Sequence, residues 1–292
     1  MFKSAWLKVC FFGIIALCGY LACSKVKESP APDIAQKIIE EILSGHDSKN
    51  PIKPFTQTYG FFSLEEAYQI QSLLADKLSE KLGDVSGYKV AFASQAAQKQ
   101  FGIDQPASGP FFHLQRIPNG PILESSDFIG LTIETEVAFT IGKRIDHPIE
   151  NAEDLKPYVK WAHASFDISN DYFDPQEAKP VVADLVAGGM TYLYMLGPAV
   201  DPNLVDVDKL TLKLKVNGKI IAEGACAEVM GSPWNSLLWV VNQVVSRGDT
   251  LEPGNVVLTG TAAPAYKVPG SKAAGYYEGD CGPLGKVTCT IR

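Results

Sequence analysis

The most regular alternation of apolar and polar residues in this chain runs from Leu131 to Ile141. Successive side chains of a β-strand point to opposite faces, so every second residue shares a face. The sequence therefore predicts a strand with Glu134 and Glu136 on one face. The opposite face is expected to carry Ile133, Thr135, Val137, Phe139 and Ile141.

The two glutamates on this strand are candidate metal ligands. Carboxylates roughly 7 Å apart along one strand face can converge on a single hard cation. The alternative is an amphipathic strand that exposes an acidic face to water. Taken alone, the strand pattern favours the exposed face, because most glutamates of folded proteins are solvated.

Two helical patterns precede the β-rich part of the chain. The first spans residues 33–43, begins at Asp33 and is expected to end at Gly45. The second begins at Ser63, with Glu66 three residues later, and is expected to end near Gly83. Ser and Glu at this spacing form the capping box that opens many helices.

Short β-rich runs dominate from Gly87 onward, and two helical stretches interrupt them. The predicted helices are Asn151–Phe166 and Ser236–Arg247, and Asn217-Gly218 predicts a two-residue hairpin turn. The predicted strands are Tyr88–Ala93, Ile133–Ile141, Leu210–Val216, Lys219–Cys226, Asn255–Leu258 and Lys286–Ile291. Strands without regular βαβ alternation favour an α+β fold built around a mixed sheet or roll.

The N-terminus resembles an export signal. Lys3 and Lys8 precede an apolar run, residues 9–22, that is short for a membrane span and ends at Cys23. Cys23 stands where bacterial lipoproteins are cleaved and lipidated, and an uncleaved anchor helix is the alternative. We expect a periplasmic or membrane-anchored protein of the cell envelope. Its parts would be a signal at 1–23, a tether at 24–32, a helical part at 33–85 and a catalytic β-rich domain at 86–292.

Composition narrows the function classes. The 292 residues carry a net charge of −7 and contain no Lys/Arg-rich run, which disfavours nucleic acid as a partner. Cys226, Cys281 and Cys289 lack zinc-site spacing and are expected to be buried as small apolar residues. A bond between Cys281 and Cys289 is left open by the sequence.

Two further charged residues lie in apolar surroundings. Lys89, within Gly87-Tyr88-Lys89-Val90, either extends from an edge strand into water or is held in a pocket, where it could move a proton or anchor a carboxylate. Asp167 follows Phe166 and is a candidate third oxygen ligand. Its alternative role is that of an aspartate capping a loop.

Taken in order, six stretches resemble the 2-keto-4-pentenoate hydratase and 4-oxalocrotonate decarboxylase family, within the fumarylacetoacetate-hydrolase-like superfamily. Each stretch is weak alone, but their common order is specific, and the resemblance covers roughly residues 34–292. The stretches are Gly87-Tyr88-Lys89-Val90, Phe101-Gly102-Ile103-Asp104-Gln105-Pro106, Ile133-Glu134-Thr135-Glu136-Val137-Ala138, Asp184-Leu185-Val186-Ala187, Gly231-Ser232-Pro233 and Val257-Leu258-Thr259-Gly260-Thr261.

The resemblance implies a fold, a cofactor and a site. It implies a fumarylacetoacetate-hydrolase-like roll with flanking helices and a site for Mg²⁺ or Mn²⁺. The implied site consists of metal ligands Glu134, Glu136 and Asp167, the catalytic lysine Lys89, and the substrate-binding residues Asp184 and Thr259.

Three positions depart from the family pattern. The third ligand is normally a glutamate after a helix, and here it is Asp167. Ala107-Ser108 replaces a segment in which the hydratases carry an aspartate. Gly188-Gly189 replaces an Asp-Asn pair and removes polar groups from the expected pocket wall.

The resemblance implies a metal-dependent hydratase that acts on a small 2-hydroxydienoic or 2-oxo acid through an enolate. Two alternatives stay open at this point. One is a decarboxylase or carbon–carbon hydrolase on the same scaffold, and the other is an envelope lipoprotein that binds 2-oxo acids without turnover. The resemblance also implies a homo-oligomer.

Overall fold

The computed structural model describes residues 32–190, 192–270 and 274–292. The predicted signal peptide, including Cys23, lies outside these residues, as does nearly all of the tether. The helices are α1 (Pro32–Ser48), α2 (Phe55–Tyr59), α3 (Leu64–Leu82), α4 (Gln95–Phe101), α5 (Ala152–Leu155), α6 (Val182–Ala187) and α7 (Pro233–Ser246). Within the described part of the chain, none of these helices has both the length and the apolarity to span a bilayer.

Twelve strands form two mixed sheets in the described residues. They are β1 (Val85–Ala91), β2 (Ala107–Phe112), β3 (Ile122–Leu123), β4 (Leu131–Ile141), β5 (Val159–Asn170), β6 (Leu193–Leu196), β7 (Thr211–Val216), β8 (Lys219–Ala225), β9 (Val256–Thr261), β10 (Tyr266–Lys267), β11 (Gly275–Asp280) and β12 (Lys286–Ile291). The larger sheet has the order β2-β1-β9-β4-β5-β6, with β10 paired to β4. The smaller has the order β3-β12-β11-β7-β8.

The larger sheet curls until its two outer strands meet. Phe111 on β2 and Tyr194 on β6 stack with ring centroids 4.4 Å apart. The backbone N–H of Ile117, just beyond β2, donates to the carbonyl of Tyr194 at 3.0 Å. The sheet is therefore a roll with an inner and an outer face, as the sequence predicted.

The outer face of the roll is covered along its whole length. Near one end of β4, Ile133 packs against the smaller sheet through Leu214 and Tyr277. Toward the other end, Phe139 packs against α7, where the Trp234 ring lies 4.4 Å from its own. The apolar face predicted for β4 is confirmed, because all five of its residues are buried. The inner face is left for the glutamates.

The helices before β1 form a separate apolar cluster with α6, built on residues such as Ile38, Ile70 and Val186.

The predicted capping box of α3 is confirmed, since each side chain of Ser63 and Glu66 accepts a hydrogen bond from the backbone N–H of the other. The end predicted for the first helix at Gly45 is wrong, because α1 continues to Ser48. The division of the chain between residues 85 and 86 stays a prediction.

The helix predicted over Asn151–Phe166 is wrong. Only Ala152–Leu155 is α-helical, and a strand, β5, begins at Val159. Pro157 lacks a backbone N–H and ends the helix early. The residues that follow pair with β4 almost without interruption, from Val159 opposite Ile141 to Asn170 opposite Leu131. Tertiary pairing outweighed the local helical pattern here.

Two smaller predictions are confirmed. Asn217 and Gly218 have positive φ angles of 49° and 81° and join β7 to β8 as an antiparallel hairpin. Cys226, Cys281 and Cys289 are buried and free, so the pairing that the sequence left open does not form among these described residues.

Candidate metal centre

The inner face of β4 presents both glutamates of the predicted pair. Glu134 and Glu136 alternate with the buried residues Ile133, Thr135 and Val137, whose side chains turn outward. Glu136 is fully buried, whereas Glu134 is partly exposed. The site is therefore closed around Glu136 and opens to solvent on the Glu134 side.

Asp167 joins the glutamates from the neighbouring strand. It lies directly opposite Glu134 in the antiparallel pair of β4 and β5, so both side chains share a face. One oxygen from each of Glu134, Glu136 and Asp167 lies within 4.8 Å of the others. The position after a helix that the resemblance implied for this ligand is wrong, as is the loop-capping alternative, because Asp167 is central in a strand and 0% exposed.

Lys89 enters the same space from β1. Its side chain is buried, and its ammonium forms an ion pair with Asp167 Oδ2. This contact excludes the interpretation that Lys89 extends from an edge strand into water. The strand order β1-β9-β4-β5 explains the approach, since Lys89 and the carboxylates face each other across the curled inner surface.

A β-bulge in β9 holds Glu136 in place. Pairing between β4 and β9 shifts register between Glu136 and Ala138, where Gly260 adopts a φ of +91°. The Gly260 N–H donates to Glu136 Oε2 at 2.7 Å. A side chain at this position would be strained by the positive φ and would collide with the Ala93 methyl group, so glycine is required.

The clustered carboxyl groups disfavour their own ionisation. Burial raises the pKa of Glu134 to about 7, against the opposing effect of Lys89 and with a further rise from Asp167. Burial, Asp167 and Glu134 raise the pKa of Glu136 well above its usual value. Burial alone would lower the pKa of Lys89, but the three carboxylates outweigh it and raise the pKa. Full ionisation of the three carboxyl groups is therefore unfavourable unless a further positive charge lies beside them.

The donor set fits a divalent metal ion. Asp167 Oδ1 is buried and has no hydrogen-bond partner among the described residues, and burying a charged oxygen unpaired is costly. It belongs to the same cluster as the two glutamates. Three carboxylate oxygens without nitrogen or sulfur ligands are typical of Mg²⁺, Mn²⁺ and Ca²⁺ sites.

Asp184 and Thr259, the predicted substrate-binding residues, make structural contacts. Both oxygens of Asp184 are engaged at the start of α6, one by the Thr56 N–H at 2.7 Å and the other by the Val181 N–H and the Thr56 hydroxyl, each at 2.9 Å. The Thr259 hydroxyl donates to the Val137 carbonyl at 2.9 Å. A contact of either residue with substrate stays a prediction.

Sequence reasoning assigned no role to two features of the site. One is the Gly260 N–H, although a glycine inside a strand pattern is a known signal for a bulge. The other is the apolar cluster that continues the inner face beyond the carboxylates. It consists of Phe111, Ala138, Tyr194, Leu196, Val256 and Leu258.

Fold and site together define a class: a mixed-sheet roll with a candidate metal centre made of carboxylate oxygens and an adjacent lysine. The family model described as fumarylacetoacetate (FAA) hydrolase C-terminal matches residues 91–281, more than half of the chain. The chain belongs to this family of enzymes, as the sequence predicted.

Curated relatives and a solved structure agree with this assignment. The 2-keto-4-pentenoate hydratase of Paraburkholderia xenovorans (strain LB400) is 24% identical over 240 residues, covering 81% of this chain and 88% of the relative. The 4-oxalocrotonate decarboxylase of Pseudomonas putida is 26% identical, covering 84% and 92%. The structure of 4-oxalocrotonate decarboxylase from Pseudomonas putida G7, complexed with magnesium and adipate, matches with a TM-score of 0.83 at 20% identity. It covers 91% of this chain and 100% of that one, and shows the same fold.

Proposed function

We propose that this chain is a Mg²⁺- or Mn²⁺-dependent lyase of the 2-oxopent-4-enoate hydratase type, acting on a small 2-hydroxydienoic or 2-oxo acid. The observation that carries the proposal is the convergence of Glu134, Glu136 and Asp167 beside Lys89 on the inner face of the roll. The names of the curated hydratase and decarboxylase relatives support the substrate class.

The acids, the lysine and the apolar residues of the site have different proposed roles. A bound ion would be held by Glu134, Glu136 and Asp167, and would supply electrophilic stabilisation of negative charge on a 2-oxo acid. Lys89 Nζ holds a proton beside Asp167 and is placed to pass it to a substrate carbon or to bind a substrate carboxylate. The apolar cluster that includes Phe111, Tyr194 and Leu258 excludes water from one side of the site. Exclusion of water strengthens the electrostatic interactions of the bound ion and of Lys89 with the substrate.

A decarboxylase on the same scaffold is the second candidate. Ala107 takes the place of the aspartate that the resemblance implies for hydratases. Ala107 is fully buried and packs with the N-terminal helical cluster, so it supplies no acid or base there. The match to a decarboxylase over 91% of the chain supports the scaffold.

Ultraviolet absorbance distinguishes these candidates. The purified protein would be incubated with 2-hydroxypenta-2,4-dienoate and, separately, with a 2-hydroxymuconate-type acid, with and without Mg²⁺. Metal-dependent loss of dienol absorbance with a 4-hydroxy-2-oxo product supports the hydratase, and CO₂ release supports the decarboxylase. Calorimetric binding of the acids without turnover would contradict an enzymatic role and support a binding lipoprotein.

Conservative changes at the glutamates test the metal ligands. We expect Glu134→Gln and Glu136→Gln each to weaken Mg²⁺ binding at least about 100-fold, because an anionic oxygen ligand is lost. Calorimetry would measure the affinity, and circular dichroism would check that the fold is intact. The exposed Glu223 on β8 gives a matched control, Glu223→Gln. Unchanged Mg²⁺ affinity in both site variants would reject the assignment.

We also propose that the protein is exported to the cell envelope and lipidated at Cys23. The basic and apolar pattern of residues 3–22 supports this. Radioactive palmitate should label the native chain and not Cys23→Ala. Equal labelling of the two chains would contradict lipidation at Cys23. A homo-oligomer is proposed from the family resemblance, and analytical ultracentrifugation tests it.

A further inference from the structure

Lys89 stands where a cation is needed. The cluster of Glu134, Glu136 and Asp167 lies on the inner face of the roll, and the buried Lys89 ammonium forms an ion pair with Asp167 there. Its partner, Asp167, is also one of the three candidate ligands. One oxygen of Asp167 is therefore engaged by Lys89, and the other accepts no hydrogen bond from the residues that the structure describes.

The formal charges of the site are unbalanced without a metal ion. Metal-ligating carboxylates are ionised, so the three acids contribute three negative charges and Lys89 one positive charge. A divalent ion brings this group to neutrality. A trivalent ion leaves one excess positive charge next to the ammonium, which is unfavourable in a site that is mostly buried.

We propose that Lys89 is the internal counter-ion of this metal centre: it holds Asp167 in the metal-free protein and restricts the site to divalent ions. The inference rests on the proposed metal site and goes beyond it, because it gives Lys89 a role that does not depend on substrate. In the metal-free protein, Lys89 stabilises the fold. In the metal-bound protein, its charge opposes that of the ion.

The test compares two ions of nearly equal radius and different charge, Ca²⁺ and Tb³⁺. Lys89→Met keeps a flexible chain and removes the ammonium. We expect Ca²⁺ to bind at least about tenfold more tightly to Lys89→Met than to the wild type, because a nearby positive charge is gone. The gain for Tb³⁺ should be about thirtyfold, because Coulomb repulsion scales with the charge of the ion. Calorimetry measures Ca²⁺, and sensitised luminescence measures Tb³⁺.

Metal-free stability provides a second readout. The metal-free Lys89→Met protein should melt roughly 5 °C or more below the wild type, because the buried Asp167 carboxylate loses its counter-ion. Saturating Ca²⁺ should restore most of this loss. If Lys89→Met fails to fold, Lys89→Gln, which is polar and uncharged, takes its place. Lys267→Met is the control, because Lys267 pairs with Asp171 at an exposed position.

The outcomes separate the two proposals. Wild-type protein that binds neither ion rejects the metal centre itself. Wild-type protein that binds Ca²⁺, with the same Ca²⁺ and Tb³⁺ affinities in the Lys89 variants, overturns the counter-ion role and leaves the metal centre standing. A gain in Ca²⁺ affinity that equals or exceeds the gain in Tb³⁺ affinity also overturns it. A larger gain for Tb³⁺, without change in Lys267→Met, supports it.

Discussion

Four side chains set the charge of this site: Glu134, Glu136, Asp167 and Lys89. Asp167 shows which of their properties can be predicted from sequence. The residue was a candidate ligand from its position in the family pattern. Two of its contacts could not be predicted: its position directly across the strand pair from Glu134 and its ion pair with Lys89. Both depend on how strands more than 30 residues apart in sequence come together. Its chemical type was visible in the sequence, but its partners were not.

Neutralising one buried carboxylate should stabilise the metal-free protein. We expect Glu136→Gln to raise the melting temperature of metal-free protein at pH 8 by roughly 2–4 °C. The folded state raises the pKa of Glu136 well above 4.5, so ionising it at pH 8 costs free energy that glutamine avoids, while the Gly260 N–H keeps an oxygen acceptor.

The same substitution should have no effect in acid. Well below pH 4.5 the Glu136 carboxyl is protonated in the folded and unfolded states alike, so the gain should vanish there. Differential scanning calorimetry across pH measures both limits, with Glu223→Gln as control. A lower melting temperature for Glu136→Gln at pH 8 would contradict the account of the charge.

At the scale of elements, strand β5 is the clearest failure of sequence reasoning. The sequence predicted a helix over Asn151–Phe166, yet residues 159–170 form a strand that pairs with β4 on one edge and with β6 on the other. A central strand that is buried on both faces loses the period-two signal, so periodicity alone cannot separate it from a helix. By contrast β4 was predictable, because the polar residues Thr132, Glu134 and Glu136 alternate with apolar or outward-facing ones along the strand.

The end of α6 is fixed by close packing rather than by backbone geometry. Gly188 has an ordinary φ of −78°, but a Cβ there would lie 1.5 Å from the Tyr172 hydroxyl oxygen. We expect Gly188→Ala to lower the free energy of unfolding by about 1–3 kcal/mol. In a double-mutant cycle by urea denaturation, most of this cost should disappear when Gly188→Ala is introduced into the Tyr172→Ala protein. Additive losses would show that the two residues are not in contact.

Substitution of Asp184 tests whether this predicted substrate-binding residue stabilises the fold instead. Its three hydrogen bonds join Thr56, Val181 and the start of α6. We expect Asp184→Asn to cost about 1–3 kcal/mol of stability, because a buried carboxylate that accepts these bonds is replaced by an amide that accepts fewer. Thermal unfolding and steady-state kinetics are measured together. A raised KM at unchanged stability would instead support the substrate contact that the family resemblance implies.

At the scale of the whole molecule, the α+β roll was predictable because six motifs occur in the family's order. The family model and a TM-score of 0.83 confirm it. The closure of the roll through Phe111 and Tyr194 was not predictable, because Ala107–Phe112 contains Gly109 and Pro110 and lacks a strand pattern. The curl of the sheet brings β1 to face β5 across the inner surface and so places Lys89 beside Asp167.

The location of a bound ion tests the account most directly. Crystals of residues 32–292 would be grown with Mn²⁺. Diffraction would be measured at the manganese absorption edge, where anomalous scattering identifies the ion. We predict one strong peak, with oxygens of Glu134, Glu136 and Asp167 roughly 2.0–2.3 Å from it, and a Lys89 ammonium outside the coordination shell. An ion held by other residues, or a site that stays free of manganese at saturating concentration, would contradict the metal centre.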